Sequence, residues 1–411
     1  MATLVTSSGP ARATASWWRS PQRVLLRRII FQIHLWAGVV LALYAIVIGL
    51  SGAALVFKAR IDAHELRGYK LSTATPGMTL TKTLRQLGDE HPGWRVTGLR
   101  LEDRAGAPVT AMMYRIGAVP DGNYRLVIFD PGNGHVFADR MRFDGALGWL
   151  ANLHFNLLMG RRGLLISGWM AVGLLLLCLS GIVVWWPGVA RWIGALILRL
   201  HRHHHRRDLN WKRLNWDLHS VIGFWSCAAL IVVTVTGLYF VFPAPIRNLT
   251  VLATGGSIAQ AKIEEAAPAR RPARTEMPLL DVDQALAAAR HQLPADAPPG
   301  YVAIPAKSGS PWYVTGYYRD ALPYSRLVSI TLDPRTGDLL RSNDTTRQML
   351  GLQVIQHIFT VHFGSFGGDG LFGTIVQVSW VLLGISPAVL AITGLIMFWN
   401  RKLHPWLRKN R

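Results

Sequence analysis

Four stretches of this 411-residue chain, near 31–57, 164–187, 217–242 and 371–399, run almost unbroken in apolar residues. Each is long enough to cross a bilayer as a helix. Between the first and second, and again between the third and fourth, the pattern turns mixed. Leu80 to Glu90 reads as a short helix. Tyr124-Arg125-Leu126-Val127-Ile128-Phe129 reads as a strand that runs into Asp130-Pro131-Gly132-Asn133-Gly134. The second mixed segment follows the same plan after a Pro/Ala/Arg-rich linker at about 255–278. Val282 to His291 is its helix, Leu327-Val328-Ser329-Ile330-Thr331-Leu332 its strand, and Asp333-Pro334-Arg335-Thr336-Gly337 its turn. In an Asp-Pro-x-x-Gly turn the proline presets φ and the last glycine accepts positive φ. The recurrence of this turn at the same place in each half argues for an internal repeat.

After its turn each half reaches a histidine, a glycine-interrupted stretch and the next long apolar run. The first half reads Leu153-His154-Phe155-Asn156-Leu157-Leu158-Met159-Gly160, the second Val361-His362-Phe363-Gly364-Ser365-Phe366-Gly367-Gly368. The predicted fold class is a membrane α-helical protein: a four-helix transmembrane bundle with two small α+β domains, internally duplicated. Its parts begin with a basic tail at 1–30, a spanning helix at 31–57 and an outer domain at 58–148. A lead-in with its spanning helix (149–187), a basic loop (188–216) and a third spanning helix (217–242) follow. The second outer domain (243–350), the last lead-in and helix (351–399) and a tail (400–411) complete the chain. The first apolar run is too long for a signal-peptide core and no small-residue cleavage site follows it, so it reads as a retained anchor. Residues 1–20, rich in Ser, Ala and Arg, read as a disordered tail.

Composition adds the class and the orientation. With 50% hydrophobic and 16% charged residues the chain is not an ordinary soluble protein. The net charge of +21 would suggest nucleic acid, but its distribution says otherwise. Five Arg and no acid precede residue 30, seven Lys or Arg against one Asp lie in 187–215, and five more basic residues follow Asn400. The long segments are nearly balanced, 13 basic to 10 acidic in 58–148 and 12 to 10 in 243–350. That is the positive-inside pattern: both termini and the 188–216 loop cytoplasmic, both large segments outside. The charge reads as topology and attraction to anionic lipid, with no nucleic-acid partner. The two cysteines, Cys178 and Cys227, lie inside apolar runs and read as packing residues.

The candidate chemistry lies in histidines. Two spans begin alike, Ile33-His34-Leu35-Trp36-Ala37-Gly38 and Leu218-His219-Ser220-Val221-Ile222-Gly223. Each has a second glycine eighteen residues after the histidine, Gly52 and Gly237, five whole turns on and so on the same helix face. A histidine flanked by bare backbone on one face suits a large flat ligand held between helices, read here as haem. The predicted topology puts His34 and His219 near the cytoplasmic face and His154 and His362 near the outer face. Each layer then holds one histidine from each half, the count for two b-type haems with two axial imidazoles each. Gly38 and Gly223 would clear space beside the inner haem. Gly52 and Gly237, about 27 Å further along at 1.5 Å per residue, would sit beside the outer one.

His357 is the alternative to His362: it stands 24 residues after its turn, as His154 does, while the following Phe-Gly context favours His362. A single intramembrane histidine could equally be a satisfied packing residue; four in related pairs favour ligation. The run His201-Arg202-His203-His204-His205-Arg206-Arg207 reads as a solvated basic loop, because its arginines repel cations. His64, His91, His135 and His291 read as surface residues. No dinucleotide fingerprint, Walker motif or nucleophile elbow is present, so a redox role would need a separate electron donor.

The His-x-x-x-Gly helix starts, the paired α+β segments and Leu153-His154-Phe155-Asn156-Leu157-Leu158 resemble the PepSY-associated transmembrane family over roughly residues 25–402. That family includes bacterial iron-regulated inner-membrane proteins and ferric-siderophore reductases. The resemblance implies PepSY-like domains on the periplasmic side of the bacterial inner membrane. It also implies a ferric-siderophore reductase: electrons would pass from a quinol or a cytoplasmic reductase through the His34/His219 haem to the His154/His362 haem. Ferric iron in a siderophore would then be reduced and released as Fe(II). Two other classes use the same residues differently. One is a non-redox sensor or inhibitory scaffold with structural histidines, which a visible spectrum would separate at once. The other is a siderophore transporter, which needs a polar path that the apolar runs scarcely offer.

Overall fold

The structure, a computed structural model, describes residues 21–71, 78–104, 107–117, 122–198, 210–265, 276–319, 322, 325–368 and 370–409. The 1–20 tail, the 201–207 run, positions 266–275 of the linker and Asp369 lie outside the described residues.

Helix α1 (Leu25–Leu55) leads into α2 (Lys58–Gly68) and α3 (Leu80–Glu90), followed by β1 (Trp94–Arg100), β2 (Val109–Arg115), β3 (Arg125–Phe129) and β4 (Val136–Met141). The chain continues through α4 (Gly145–Asn156), α5 (Gly160–Trp185) and α6 (Trp211–Val241). Then come α7 (Val282–Gln292), β5 (Pro299–Ala303), β6 (Trp312–Tyr317), β7 (Leu327–Leu332) and β8 (Leu339–Asp344). Two short helices, α8 (Leu350–Gln356) and α9 (Ile358–His362), precede α10 (Leu371–Phe398). Four helices, built on α1, α5, α6 and α10, are long and apolar enough to cross a membrane, and they coincide with the four predicted runs. The chain divides into two compact units. One comprises residues 1–49, 170–234 and 385–411, the other 50–169 and 235–384, so each long helix contributes a stretch to each.

In the first unit the helices meet through small residues and rings. A Cβ at Gly173 would stand 2.8 Å from Leu41 Cδ1, so α5 comes close to α1 where glycine allows it. Trp185 stacks on Phe224 with centroids 4.1 Å apart, and Trp36 meets Phe398 edge-on at 5.3 Å.

The second unit holds one eight-stranded antiparallel sheet in the order β4-β3-β2-β1-β5-β6-β7-β8. The two segments expected as separate domains therefore share a single sheet, each contributing a helix and four strands. The first strands of the two segments, β1 and β5, pair through Gly98↔Ala303, Leu99↔Val302 and Arg100↔Tyr301. This pairing removes an unsatisfied edge from each half. It also makes one core, since Leu99, Ala111, Met113 and Phe129 pack in the same cluster as Val302, Val314, Ile330 and Leu332, under α3 and α7. Asp283 of α7 ties the halves again: its carboxylate accepts from the backbone N–H of Leu80 (3.1 Å) and of Thr81 (2.9 Å) at the N-terminus of α3.

The two Asp-Pro turns are built as their sequences require. Asp130 and Asp333 are buried; Asp130 Oδ1 accepts from Gly132 N (2.8 Å), and Asp333 Oδ1 from Arg335 N (2.8 Å). Gly134 and Gly337, with φ of 75° and 74°, take the left-handed position.

Candidate functional site

Each of the four repeat-related histidines meets a hydroxyl followed by a glycine. In the first unit His34 Nδ1, on α1, shares a 2.9 Å hydrogen bond with Ser180 Oγ of α5, and a Cβ at Gly181 would lie 3.4 Å from His34 Cε1. His219 of α6 does the same with α10. Its Nδ1 lies 2.9 Å from Thr393 Oγ1, and a Cβ at Gly394 would lie 3.4 Å from its Cε1.

The second unit repeats the arrangement with the donors of position reversed. Here the hydroxyls come from α1 and α6, and the histidines from the short α4 and α9. Ser51 Oγ lies 3.1 Å from His154 Nδ1, and Thr236 Oγ1 lies 3.0 Å from His362 Nδ1. A Cβ at Gly52 would approach His154 Cε1 to 2.9 Å, and one at Gly237 would approach His362 Cε1 to 3.2 Å. The sequence suggests that these glycines clear space for a macrocycle; what lies against them in the structure is imidazole. The His154 and His362 rings stand with centroids 6.4 Å apart, tilted by 52°.

A hydrogen bond at Nδ1 orients the ring and sets its tautomer, which makes Nε2 the nitrogen that addresses a metal. Two imidazoles that would hold one iron through Nε2 would have ring centres roughly 6 Å apart. The separation of His154 and His362 fits that requirement. The hydroxyl at each site is a test in itself. Ser51→Ala should lower stability by about 1 kcal/mol, read as a fall in the thermal midpoint of the purified protein. Ser226→Ala, which removes a hydroxyl that donates only 2.7 Å within its own helix to Ile222 O, should change it far less.

The remaining candidates fall elsewhere. Nothing lies within 4 Å of a Cβ at Gly38, and one at Gly223 would lie 3.5 Å from Leu390 Cδ2. His357 is exposed and its Nδ1 bonds the Gln353 carbonyl one turn back (2.9 Å), turned to its own helix. His91 is not a bare surface residue: it closes α3, with Nδ1 on Leu87 O and Nε2 on the Asp139 carboxylate, both at 2.9 Å.

His154 is placed by a tight reversal between α4 and α5. Leu157 and Leu158 both adopt the left-handed conformation, φ 47° and 60°, which costs a side-chain-bearing residue on the order of 1–2 kcal/mol. The reversal brings the Asn156 carbonyl against α5 at Gly163, where a Cβ would stand 1.7 Å from that oxygen. The second half makes the same approach with glycines in the strained places. Gly364 and Gly368 both have φ 64°, and a Cβ at Gly373 would stand 1.9 Å from Gly368 O.

The sequence profile of the PepSY-associated TM region matches residues 31–401. The chain belongs to the PepSY-associated TM family. It is also similar to an uncharacterized protein of Pseudomonas aeruginosa, 34% identical over 95 residues. That match covers 22% of this chain and 21% of the relative, so the chain aligns with about a fifth of that protein's length. As a PepSY-associated TM protein, this chain is a membrane protein with four apolar helices and a β-sheet.

Proposed function

We propose that this protein is a di-haem oxidoreductase of the bacterial inner membrane that reduces ferric iron in a siderophore on the periplasmic side. The observation that carries the reading is the His154–His362 pair, 6.4 Å apart, each ring tied at Nδ1 to a hydroxyl. His34 and His219 would hold one b-type haem and His154 and His362 the other. When bound, the haems would supply one-electron acceptors and donors linking a reductant on one side to an oxidant on the other. The chain's own part is to hold the rings. Ser180, Thr393, Ser51 and Thr236 fix the imidazoles' orientation, and glycine beside each hydroxyl lets the ring come close.

Reduction serves release because hard anionic oxygen ligands hold Fe(III) far better than the softer Fe(II). The siderophore is taken from the family resemblance, and a separate donor, a quinol or a cytoplasmic reductase, from the sequence's lack of a dinucleotide fingerprint. Orientation follows from the charge pattern and has its own test. Single cysteines at Asn133 and His204 should be labelled by an impermeant thiol reagent from opposite sides of the membrane. Labelling of both from one side would overturn the orientation. Mixing with dithionite should reduce the bound haem, and subsequent addition of a ferric siderophore should reoxidise it; a reduced spectrum unmoved by the siderophore would remove the reductase activity.

A further inference from the structure

The main apolar cluster, under α3 and α7, uses one face of the sheet; the other face also buries Ile128, Thr110, Thr315 and Ser329. On the face away from α3 and α7 the register places Tyr114 on β2, Tyr301 on β5, and Tyr313 and Tyr317 on β6, with Tyr124 just before β3. Arg100 stands directly across from Tyr301. Glycine on neighbouring strands lets two of these rings lie over the sheet. A Cβ at Gly98 would stand 2.5 Å from the Tyr301 hydroxyl, and one at Gly300 2.3 Å from the Tyr317 ring. Burial, the largest influence, and then the neighbouring phenols of Tyr313 and Tyr124 push the Tyr301 phenol up, against Arg100, and keep it a donor.

This face leads to the outer histidine pair by direct contact. Tyr114 and Tyr124 meet at 5.2 Å, and the Arg142 guanidinium lies over Tyr124 (5.1 Å), Phe143 (5.2 Å) and Phe155 (5.5 Å). Phe155 in turn meets His154 edge-on at 5.9 Å. Arg142 is held by those rings and by the Gly122 carbonyl (3.0 Å), and among the described residues no carboxylate pairs with it.

We propose that this tyrosine-lined sheet face, with Arg100 and Arg142, is the docking site for an anionic, oxygen-donor chelate of ferric iron, a site class resting on the reductase reading above. Tyrosine offers a flat ring and a hydroxyl donor on one side chain, which suits planar unsaturated ligand groups bearing anionic oxygen. The two arginines supply the opposite charge, and Arg stacks on rings while addressing oxyanions, which Lys does not. The position is apt: contact runs unbroken from Tyr114 through Arg142 and Phe155 to His154.

The test uses the full-length protein in detergent and gallium(III) tris-catecholate, an anionic isostere of the ferric complex that cannot be reduced. Titration should show saturable binding, weakened about ten-fold or more in Arg142→Gln, as expected for losing one charge-assisted contact. Tyr313→Ala, at an exposed position that the core does not use, should weaken it as well with the fold intact. A neutral gallium tris-hydroxamate should bind much more weakly. Absence of saturable binding, or equal affinity in wild type and both variants, would overturn the proposal. Because gallium binding needs no electron transfer, binding as predicted with no reduction of the ferric complex would leave the site standing and sink the reductase reading alone.

Discussion

His154→Ala should remove one of the two haem signals expected of the purified protein and leave the other in place. The expectation rests on geometry: the His154 and His362 rings stand with centroids 6.4 Å apart, and each is anchored on a different spanning helix through Ser51 and Thr236. His362→Ala should remove the same signal, and the double variant should be no worse than either single one, since two ligands of one iron act as a unit. His34→Ala and His219→Ala should remove the other signal. His357→Ala should change neither spectrum, because its ring is turned to the Gln353 carbonyl of its own helix. Absorption spectra of these six variants at matched protein concentration read all of this. Loss of the same signal in His34→Ala and His154→Ala would mean that the ligands pair within halves.

Gly163→Ala should cost about 3 kcal/mol or more, the upper range for forcing an atom into packed structure. The added methyl would stand 1.7 Å from the Asn156 carbonyl, a backbone atom in a reversal that already holds Leu157 and Leu158 at positive φ. Neither the oxygen nor the helix can move aside without shifting His154, so folded yield and thermal midpoint should both fall sharply. Gly373→Ala should behave alike, its methyl 1.9 Å from Gly368 O. Gly88→Ala is the matched control: nothing lies within 4 Å, and exchanging glycine for alanine inside α3 should gain up to about 1 kcal/mol. A Gly163→Ala protein that melts with wild type would show that the reversal is not as tight as described.

The local elements were legible because their signals are local. Apolar length marks the four long helices, period and capping mark Leu80–Glu90, and Asp-Pro-x-x-Gly marks the turns whose aspartates are buried and self-bonded. The single sheet was not legible, since β1 and β5 are about two hundred residues apart and an edge strand reads like an inner one. The hydroxyls are a more instructive omission. Ser51-Gly52, Ser180-Gly181, Thr236-Gly237 and Thr393-Gly394 put a hydroxyl–glycine dipeptide beside a histidine in every span, with a further one, Ser167-Gly168, in α5. Reading the glycines alone, by their spacing from histidine on the same helix, leaves Gly181 and Gly394 out. The histidines pack across helices, on Gly181 and Gly394, and helix periodicity carries no information about which helix lies opposite.

The most direct measurement is haem content. A pyridine haemochrome assay on the purified, haem-supplied protein, paired with a reduced-minus-oxidised spectrum, should give two b-type haems per chain, both low-spin as two imidazole ligands require. One haem per chain would remove one histidine pair from the account. No haem would contradict it, and would leave the four hydroxyl-tethered histidines as packing in a membrane scaffold.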